Sequence, residues 1–360
     1  MSRLLETQEF IDVLKSIAPG TPFREGLENI LRAKTGALIV VSDSEEVLGA
    51  VDGGFNINAE MTPTRLYELA KMDGAIVLSN DAQRILCANT QLVPDPDISS
   101  VETGTRHRTA ERISKQTGEL VVAISQRRDI ITLYKGEKKY ILEDIRVILA
   151  KANQAIQTLE KYRTVLDQAL TNLSALEFED LVTISDVATV LQRIEMVLRI
   201  GREIERYIIE LGSEGRLIKM QLEELVANVK EEGLLIMRDY SQEEKREEQD
   251  MLEIFSQEAV SAPDELLSLS TISKYLGYGG SMSALDSSVS SRGYRLLRKI
   301  PRLPMPAIEN LIDNYGDLQE ILNASHEELH DVERIGEVRS QAIKEGLKRL
   351  RDQVLLDRHV

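Results

Sequence analysis

The sequence predicts a multidomain chain that is α/β at its N-terminus and all-α beyond it, and three patterns carry that reading. Short apolar β-branched runs punctuated by glycine fill the stretch up to about Asp144. From Ile148 a stripe with heptad spacing replaces them, and near the end the sequence repeats itself at an offset of 32 residues.

Taken in order, 37–41 (ALIVV), 75–78 (AIVL), 120–124 (LVVAI) and 130–134 (IITLY) read as strands of a mostly buried mixed sheet. A strand covered on both faces is apolar at consecutive positions, not alternate ones. Gly20, Gly36, Gly53, Gly54, Gly74, Gly104, Gly118 and Gly136 fall between the elements, as turns require. Thr109 to Thr117 reads as a helix leading into the third strand. The stripe Ile148, Ala152, Ala155, Leu159, Tyr162, Leu166, Ala169, Leu173, Leu176 is spaced alternately four and three, a heptad seam. No proline occurs between Pro96 and Pro263, so a stack of long helices can run from about 147 to 260, Val187 to Leu211 and Leu217 to Tyr240 among them. The seam suits an intramolecular bundle core and a subunit-assembly surface equally. Gly277 to Ser291 is rich in glycine and serine and reads as a flexible linker. Beyond it Leu297, Ile300, Arg302, Leu303 and Leu311 recur as Leu329, Val332, Arg334, Ile335 and Ile343, which suggests two tandem helix-hairpin-helix units. The expected divisions are 1–146, 147–290 and 291–360.

Composition narrows the function classes. The net charge is −16, from 44 basic and 60 acidic residues. From Arg292 onward there are 12 of each sign, so the earlier residues carry 32 basic against 48 acidic, the whole excess. An acidic surface repels phosphates, so any nucleic-acid contact belongs in the neutral tail, where Arg292, Arg295, Arg298, Lys299 and Arg302 form an all-basic run. The single cysteine, Cys87, forbids an intrachain disulfide or a thiolate zinc cluster and reads as a small buried hydrophobe. No apolar run approaches the ~20 residues that cross a bilayer, and Met1 to Thr7 lacks a signal core, so a cytoplasmic protein is expected.

Two segments carry chemistry. Gly104-Thr105-Arg106-His107-Arg108-Thr109 gathers cations and hydroxyls beside a helix start, a polyanion site. Guanidinium forks bind phosphate oxygens in pairs, and Thr105 and Thr109 add hydroxyl or N–H contacts. His107 suits orientation of its neighbours more than direct chemistry. Upstream, Asp73 and Gly74 stand immediately before an apolar strand. The carboxylate can hold a divalent ion, and a glycine lets ribose or phosphate approach the backbone. Alone, each is weak: Arg-X-Arg is commonly a solvated helix start and Asp-Gly a turn. No Gly-X4-Gly-Lys-Ser/Thr loop and no kinase glycine loop is present, which excludes ordinary P-loop or kinase chemistry.

Together, Asp73-Gly74-Ala75 and Arg106-His107-Arg108 resemble the paired motifs of diadenylate cyclases. The resemblance extends over the whole chain to the DNA-scanning branch of that family, DisA. It implies an N-terminal mixed-sheet cyclase domain, a central helical spine and a C-terminal tandem helix-hairpin-helix module. The implied reaction condenses two ATP into cyclic di-AMP with release of two pyrophosphates. Asp73, Arg106, His107 and Arg108 would be catalytic, with Mg²⁺ or Mn²⁺ on Asp73. Those three basic residues with Gly74, Leu92 through its backbone, Thr105, Thr109, Ser125 and Arg128 would hold ATP, so that Arg106, His107 and Arg108 serve in both roles. The near two-fold product implies two facing chains with one ATP each, in a homo-oligomer that the resemblance makes an octamer. It also implies binding of branched or damaged DNA without sequence preference through Arg302, Arg334, Gly336 and Arg339, and modulation of synthesis by that DNA. The prolines of the first hairpin lack N–H donors, which weakens its grip on phosphate. The alternative is a non-catalytic DNA-structure-binding scaffold that senses nucleotide.

Overall fold

The computed structural model describes residues 8–242 and 268–357. The chain divides into two compact units, one of residues 1–154 with 205–220, the other of 155–204 with 221–360.

The first unit is a mixed sheet between helical layers. Two helices, α1 (Gln8–Ser16) and α2 (Pro22–Arg32), precede β1 (Ala37–Val41), and α3 (Glu45–Gly49), β2 (Val51–Asp52), β3 (Phe55–Glu60) and α4 (Pro63–Leu69) follow. Then come β4 (Ala75–Leu78), β5 (Arg84–Leu92), α5 (Thr105–Thr117), β6 (Leu120–Ser125), β7 (Ile130–Lys135) and β8 (Lys138–Leu142). The strand order is β2-β5-β4-β1-β6-β7-β8, with β3 also on β5. Among the described residues only β1 and β4 pair in parallel; the remaining pairs are antiparallel. All four runs expected as strands are strands, and they lie side by side as β4-β1-β6-β7. Side chains alternate between two cores, as a pleated strand requires. Ile39 and Val41 pack with Phe23, Leu27, Ile30 and Leu66 under α2 and α4. Val40 packs with Val47, Ala110 and Ile113 under α3 and α5.

From β8 the chain enters α6 (Ile145–Glu179), a 35-residue helix, and then α7 (Ile184–Leu211). Every residue of the heptad seam is buried or half-buried within the chain, Ile148, Ala152, Leu159, Leu166 and Leu173 fully so. The expected helix Leu217 to Tyr240 is two helices, α8 (Arg216–Leu225) and α9 (Val229–Tyr240), broken at Asn228. With φ 61, Asn228 adopts the left-handed conformation that asparagine tolerates better than most residues.

The glycine-serine stretch is ordered, which corrects the expected flexible linker. After α10 (Leu269–Tyr275), Ser281 caps α11 (Met282–Leu285) by accepting from the Ala284 N–H. Ser288 then bridges Thr183, and the N–H groups of Val289 and Ile184 donate to Val182 and Ser287 carbonyls. Serine hydroxyls here cap and anchor the backbone, a role that composition cannot separate from solvation.

The last stretch holds α12 (Tyr294–Arg298), α13 (Met305–Tyr315), α14 (Leu318–Asn323), α15 (His326–His330) and α16 (Glu337–Asp357). The internal repeat is structural: Leu297, Ile300, Leu303 and Leu311 share one core with Leu329, Val332, Ile335 and Ile343. Arg302 and Arg334 occupy matching turns with φ 65 and φ 68.

Candidate active site

Strand register collects the sequence-predicted residues of the first unit at one end of the central strands. Ile39 lies opposite Ile76 in the parallel pair, so Gly36 and the Asp73-Gly74 pair precede their strands on the same side. Ile124 lies opposite Ala37 in the antiparallel pair, which brings Ser125 to that side. Thr90 lies opposite Ala75, so β5 ends there at Leu92. Ser125 pairs with Ile130, and the turn between them carries Arg128.

Helix α5 begins four residues before the expected Thr109, so Arg106, His107 and Arg108 form its first turn. Cations in a first turn oppose the helix dipole, and for that reason the sequence reads as a later start. Gly104 is the N-cap and supplies no side-chain hydrogen bond. Its carbonyl accepts from the Arg108 N–H at 2.9 Å, and the N–H groups of the preceding residues lack intrahelical partners. A helix start with open N–H groups and two guanidinium side chains suits a polyanion.

The three side chains of the turn diverge. Arg106 donates from Nη1 to the Ile124 carbonyl at 3.4 Å. Its guanidinium fills the space in which a Cβ on Gly36 would stand, so that glycine makes room for the arginine. Arg108 is exposed and braces the preceding loop through the Glu102 and Thr103 carbonyls at 3.3 and 3.4 Å. His107 turns inward: Nδ1 lies 3.0 Å from the Tyr134 hydroxyl, which donates to Glu102 at 2.9 Å, and Lys139 donates to the same carboxylate oxygen. Burial pushes the His107 pKa below its ordinary value, Glu102 opposes that shift, and Lys139, Arg128 and Arg106 add to it. Burial pushes Glu102 up, but hydrogen bonds from Lys139 and Tyr134 outweigh it and hold the carboxyl below its usual range. Burial and Glu102 together raise the Tyr134 phenol far above its ordinary value. The loop before α5 is fastened further by that helix, through Gln116 to the Asp95 N–H at 2.9 Å, Lys115 to the Ser99 carbonyl and Glu111 to the Val101 N–H.

Asp73 is exposed in the turn before β4. The Gly74 N–H donates to Asn89 Oδ1 at 3.2 Å, and a Cβ on Gly74 would overlap the Asn89 and Thr90 backbone, 2.6 Å from the Thr90 nitrogen. Packing against β5 therefore accounts for this glycine in the protein alone. Asn89 has φ 55 at an irregularity of β5. Leu92 is buried, so its backbone is what it can offer a ligand. Ser125 Oγ accepts from the Arg128 N–H at 3.2 Å; Thr105 and Arg128 are exposed and Thr109 half-buried. No group of three or more histidine, cysteine, aspartate or glutamate residues able to hold a metal occurs among the described residues.

Sequence reasoning missed Gly36, Asn89, Glu102, Tyr134 and Lys139. Tyr134 carried a signal, because a phenol on a buried strand needs a partner. In the tail the all-basic run is corrected. Arg295 is fully buried on Glu177, Arg292 donates to the Arg238 and Ser241 carbonyls, and Arg298 and Lys299 face Glu231 and Glu232. Acids and carbonyls distant in sequence, invisible to a local count, consume these cations. Arg302, Arg334 and Arg339 remain exposed, Arg339 donating to the Arg334 carbonyl at 2.6 Å, and exposed Gly336 directly precedes α16.

No helix among the described residues is long and apolar enough to cross a membrane. Residues 24–139 match the family described as DisA bacterial checkpoint controller nucleotide-binding, and residues 142–285 match its linker region. The DNA integrity scanning protein DisA of Symbiobacterium thermophilum is 62% identical over 98% of this chain and 98% of its own. The protein of that name from Clostridium botulinum strain Loch Maree is 56% identical over 99% of both chains. A solved structure of DacA from Staphylococcus aureus is 20% identical over 38% of this chain and 91% of that one, with a TM-score of 0.29. The chain belongs to the DisA family of diadenylate cyclases.

Proposed function

We propose that the first unit condenses two ATP into cyclic di-AMP, with two chains facing each other and one ATP in each. The observation that carries the reading is the first turn of α5. Its open N–H groups and Arg106 stand at the end of the central strands that also bears Asp73, Ser125 and the end of β5.

Arg106, Arg108, Thr105, Thr109, Ser125 and Arg128 would hold the triphosphate, neutralising charge as the α-phosphorus is attacked. Arg106 is positioned before substrate arrives, since Gly36 and the Ile124 carbonyl fix its guanidinium. The Leu92 backbone would meet the base edge, and the Asp73-Gly74 turn would border the ribose. A divalent ion fits Asp73: the carboxylate is exposed, and an ion of the Mg²⁺ or Mn²⁺ type is commonly held by one or two carboxylates plus substrate phosphates. When bound, it would lower the pKa of the 3′-hydroxyl and screen the phosphate under attack. Because each 3′-hydroxyl must reach the other chain's α-phosphorus, a monomer would be inactive, and the assembly would be a homo-oligomer, an octamer by family.

The domain order would be cyclase 1–146, helical spine 147–290 and tandem helix-hairpin-helix 291–360. The paired left-handed turns at Arg302 and Arg334 and the shared core of the repeat support the last of these. Arg302, Arg334, Arg339 and the helix start after Gly336 would contact DNA phosphates without reading sequence, and branched or damaged DNA would suppress synthesis.

The test is incubation of the full chain with ATP and Mg²⁺ or Mn²⁺. Cyclic di-AMP should form, and Asp73→Asn should abolish it while DNA binding persists. ATP bound but never converted would favour the nucleotide-sensing scaffold instead.

A further inference from the structure

We propose that His107 is a positioning residue, held as the Nδ1–H tautomer by Tyr134, and that Tyr134, Glu102 and Lys139 form with it a brace setting the first turn of α5. The inference rests on the cyclase reading for its kinetic arm, though not for its tautomer.

Proton bookkeeping along the chain of contacts fixes the direction of each bond. Lys139 can only donate, so Glu102 accepts from it. Glu102 remains a carboxylate, its carboxyl held below the usual range, so the Tyr134 hydroxyl spends its single proton on it at 2.9 Å. The phenol oxygen is then an acceptor toward His107, 3.0 Å away. Nδ1 must carry the proton, because two bare acceptors at that distance would repel each other. Burial disfavours a second proton on the ring. Nε2 is thus a bare lone pair, buried and without a partner among the described residues. A nitrogen that carries no proton and meets no solvent cannot donate to phosphate. The middle residue of the Arg-His-Arg run faces the protein, while its neighbours serve the site.

The brace also has a mechanical consequence. Glu102 belongs to the loop before α5, Tyr134 to β7 and Lys139 to β8. Through them the helix start is tied to two strands beyond the central β6, and the Glu102 carbonyl in turn holds Arg108. Loosening the brace should let both guanidinium groups drift from the phosphates.

Amide isosteres separate the two ring nitrogens. Asparagine reproduces the donor at Nδ1 and lacks Nε2, whereas glutamine places its amide at the Nε2 position. In the full chain, His107→Gln and Tyr134→Phe should lose about 10²-fold in kcat, as a misplaced clamp does, and His107→Asn should turn over at least about tenfold faster than His107→Gln. Activity in His107→Gln with loss in His107→Asn would overturn the proposal, and so would equal loss in both or retention in both. Independently, ¹⁵N correlation spectra of the substrate-free parent should show a neutral Nδ1–H ring for His107; an Nε2–H ring sinks the idea whatever the kinetics. If the parent makes no cyclic di-AMP, the cyclase reading fails, and the ring spectrum still decides the tautomer.

Discussion

Replacing Arg295 by methionine should loosen the second unit more than any other single change in its tail. The guanidinium is fully buried between α6 and α9, on Glu177, on Ser174 Oγ at 2.9 Å and facing Glu232 at 3.7 Å. The Glu177 carboxylate is equally buried and also accepts from the Tyr240 hydroxyl at 2.8 Å. Removing one partner of such a pair strands a charge and costs about 3–5 kcal/mol. The Gly293, Tyr294 and Arg295 N–H groups report on the loss, because all three donate to the Asp239 carboxylate at 2.6 to 3.0 Å. Their hydrogen exchange should quicken roughly 10²- to 10³-fold or more, at about 1.4 kcal/mol per decade. Peptides from β6, in the first unit, should not change. Adding Glu177→Gln should recover more than half of the protection, since it removes the stranded charge and keeps an acceptor for Tyr240. Exchange within a factor of three of the parent, or a double variant as fast as the single one, would refute the reasoning.

Further outcomes follow from the same geometry. Gly36→Ala should displace Arg106 and lower cyclase kcat about 10²-fold with the circular dichroism unchanged, whereas Gly74→Ala presses on β5 backbone and should cost roughly 1–3 kcal/mol of stability in urea unfolding. His107 has its pKa depressed in the folded chain, so the unfolded chain takes up a proton first as pH falls through the unfolded value of 6.5. The stability that its burial contributes is present above that pH and lost below it; the melting temperature of the parent should therefore fall more steeply than that of His107→Asn between pH 7 and pH 5. Arg334→Gly relieves a left-handed residue and should stabilise the tail by about 1 kcal/mol. The same variant should weaken DNA binding and reduce its salt slope by about 1, as measured by fluorescence anisotropy.

How legible each element was depends on how local its cause is. Strands covered on both faces announce themselves as unbroken apolar runs, and 37–41, 75–78, 120–124 and 130–134 were readable for that reason. The strand 84–92 carries an arginine, an asparagine and a glutamine, and Asn89 interrupts its pairing, so neither run nor alternation shows. Strand 55–60 is largely exposed and 138–142 opens on two lysines, which hides both. At the site, the cations and the acid were visible because chemistry chose their types. Their supports were not: Glu102, Tyr134 and Lys139 meet only after a loop and two strands fold together. The same non-locality misled the charge count at 292–302, where the neutralising acids lie some sixty to a hundred and twenty residues upstream.

The buried Arg295 marks a difference between where the chain can be divided by eye and where it can be cut. A fragment beginning at 291 would carry that guanidinium away from Glu177, Ser174 and Glu232, and would deprive the first turn of α12 of the Asp239 carboxylate. The complementary fragment would keep Glu177 without its counter-cation and Asp239 without the three N–H groups that answer it. Neither piece is a faithful reagent for the DNA-binding or the assembly properties of the whole, and swapping tails between relatives should succeed only when the Glu177 and Asp239 positions travel with the tail.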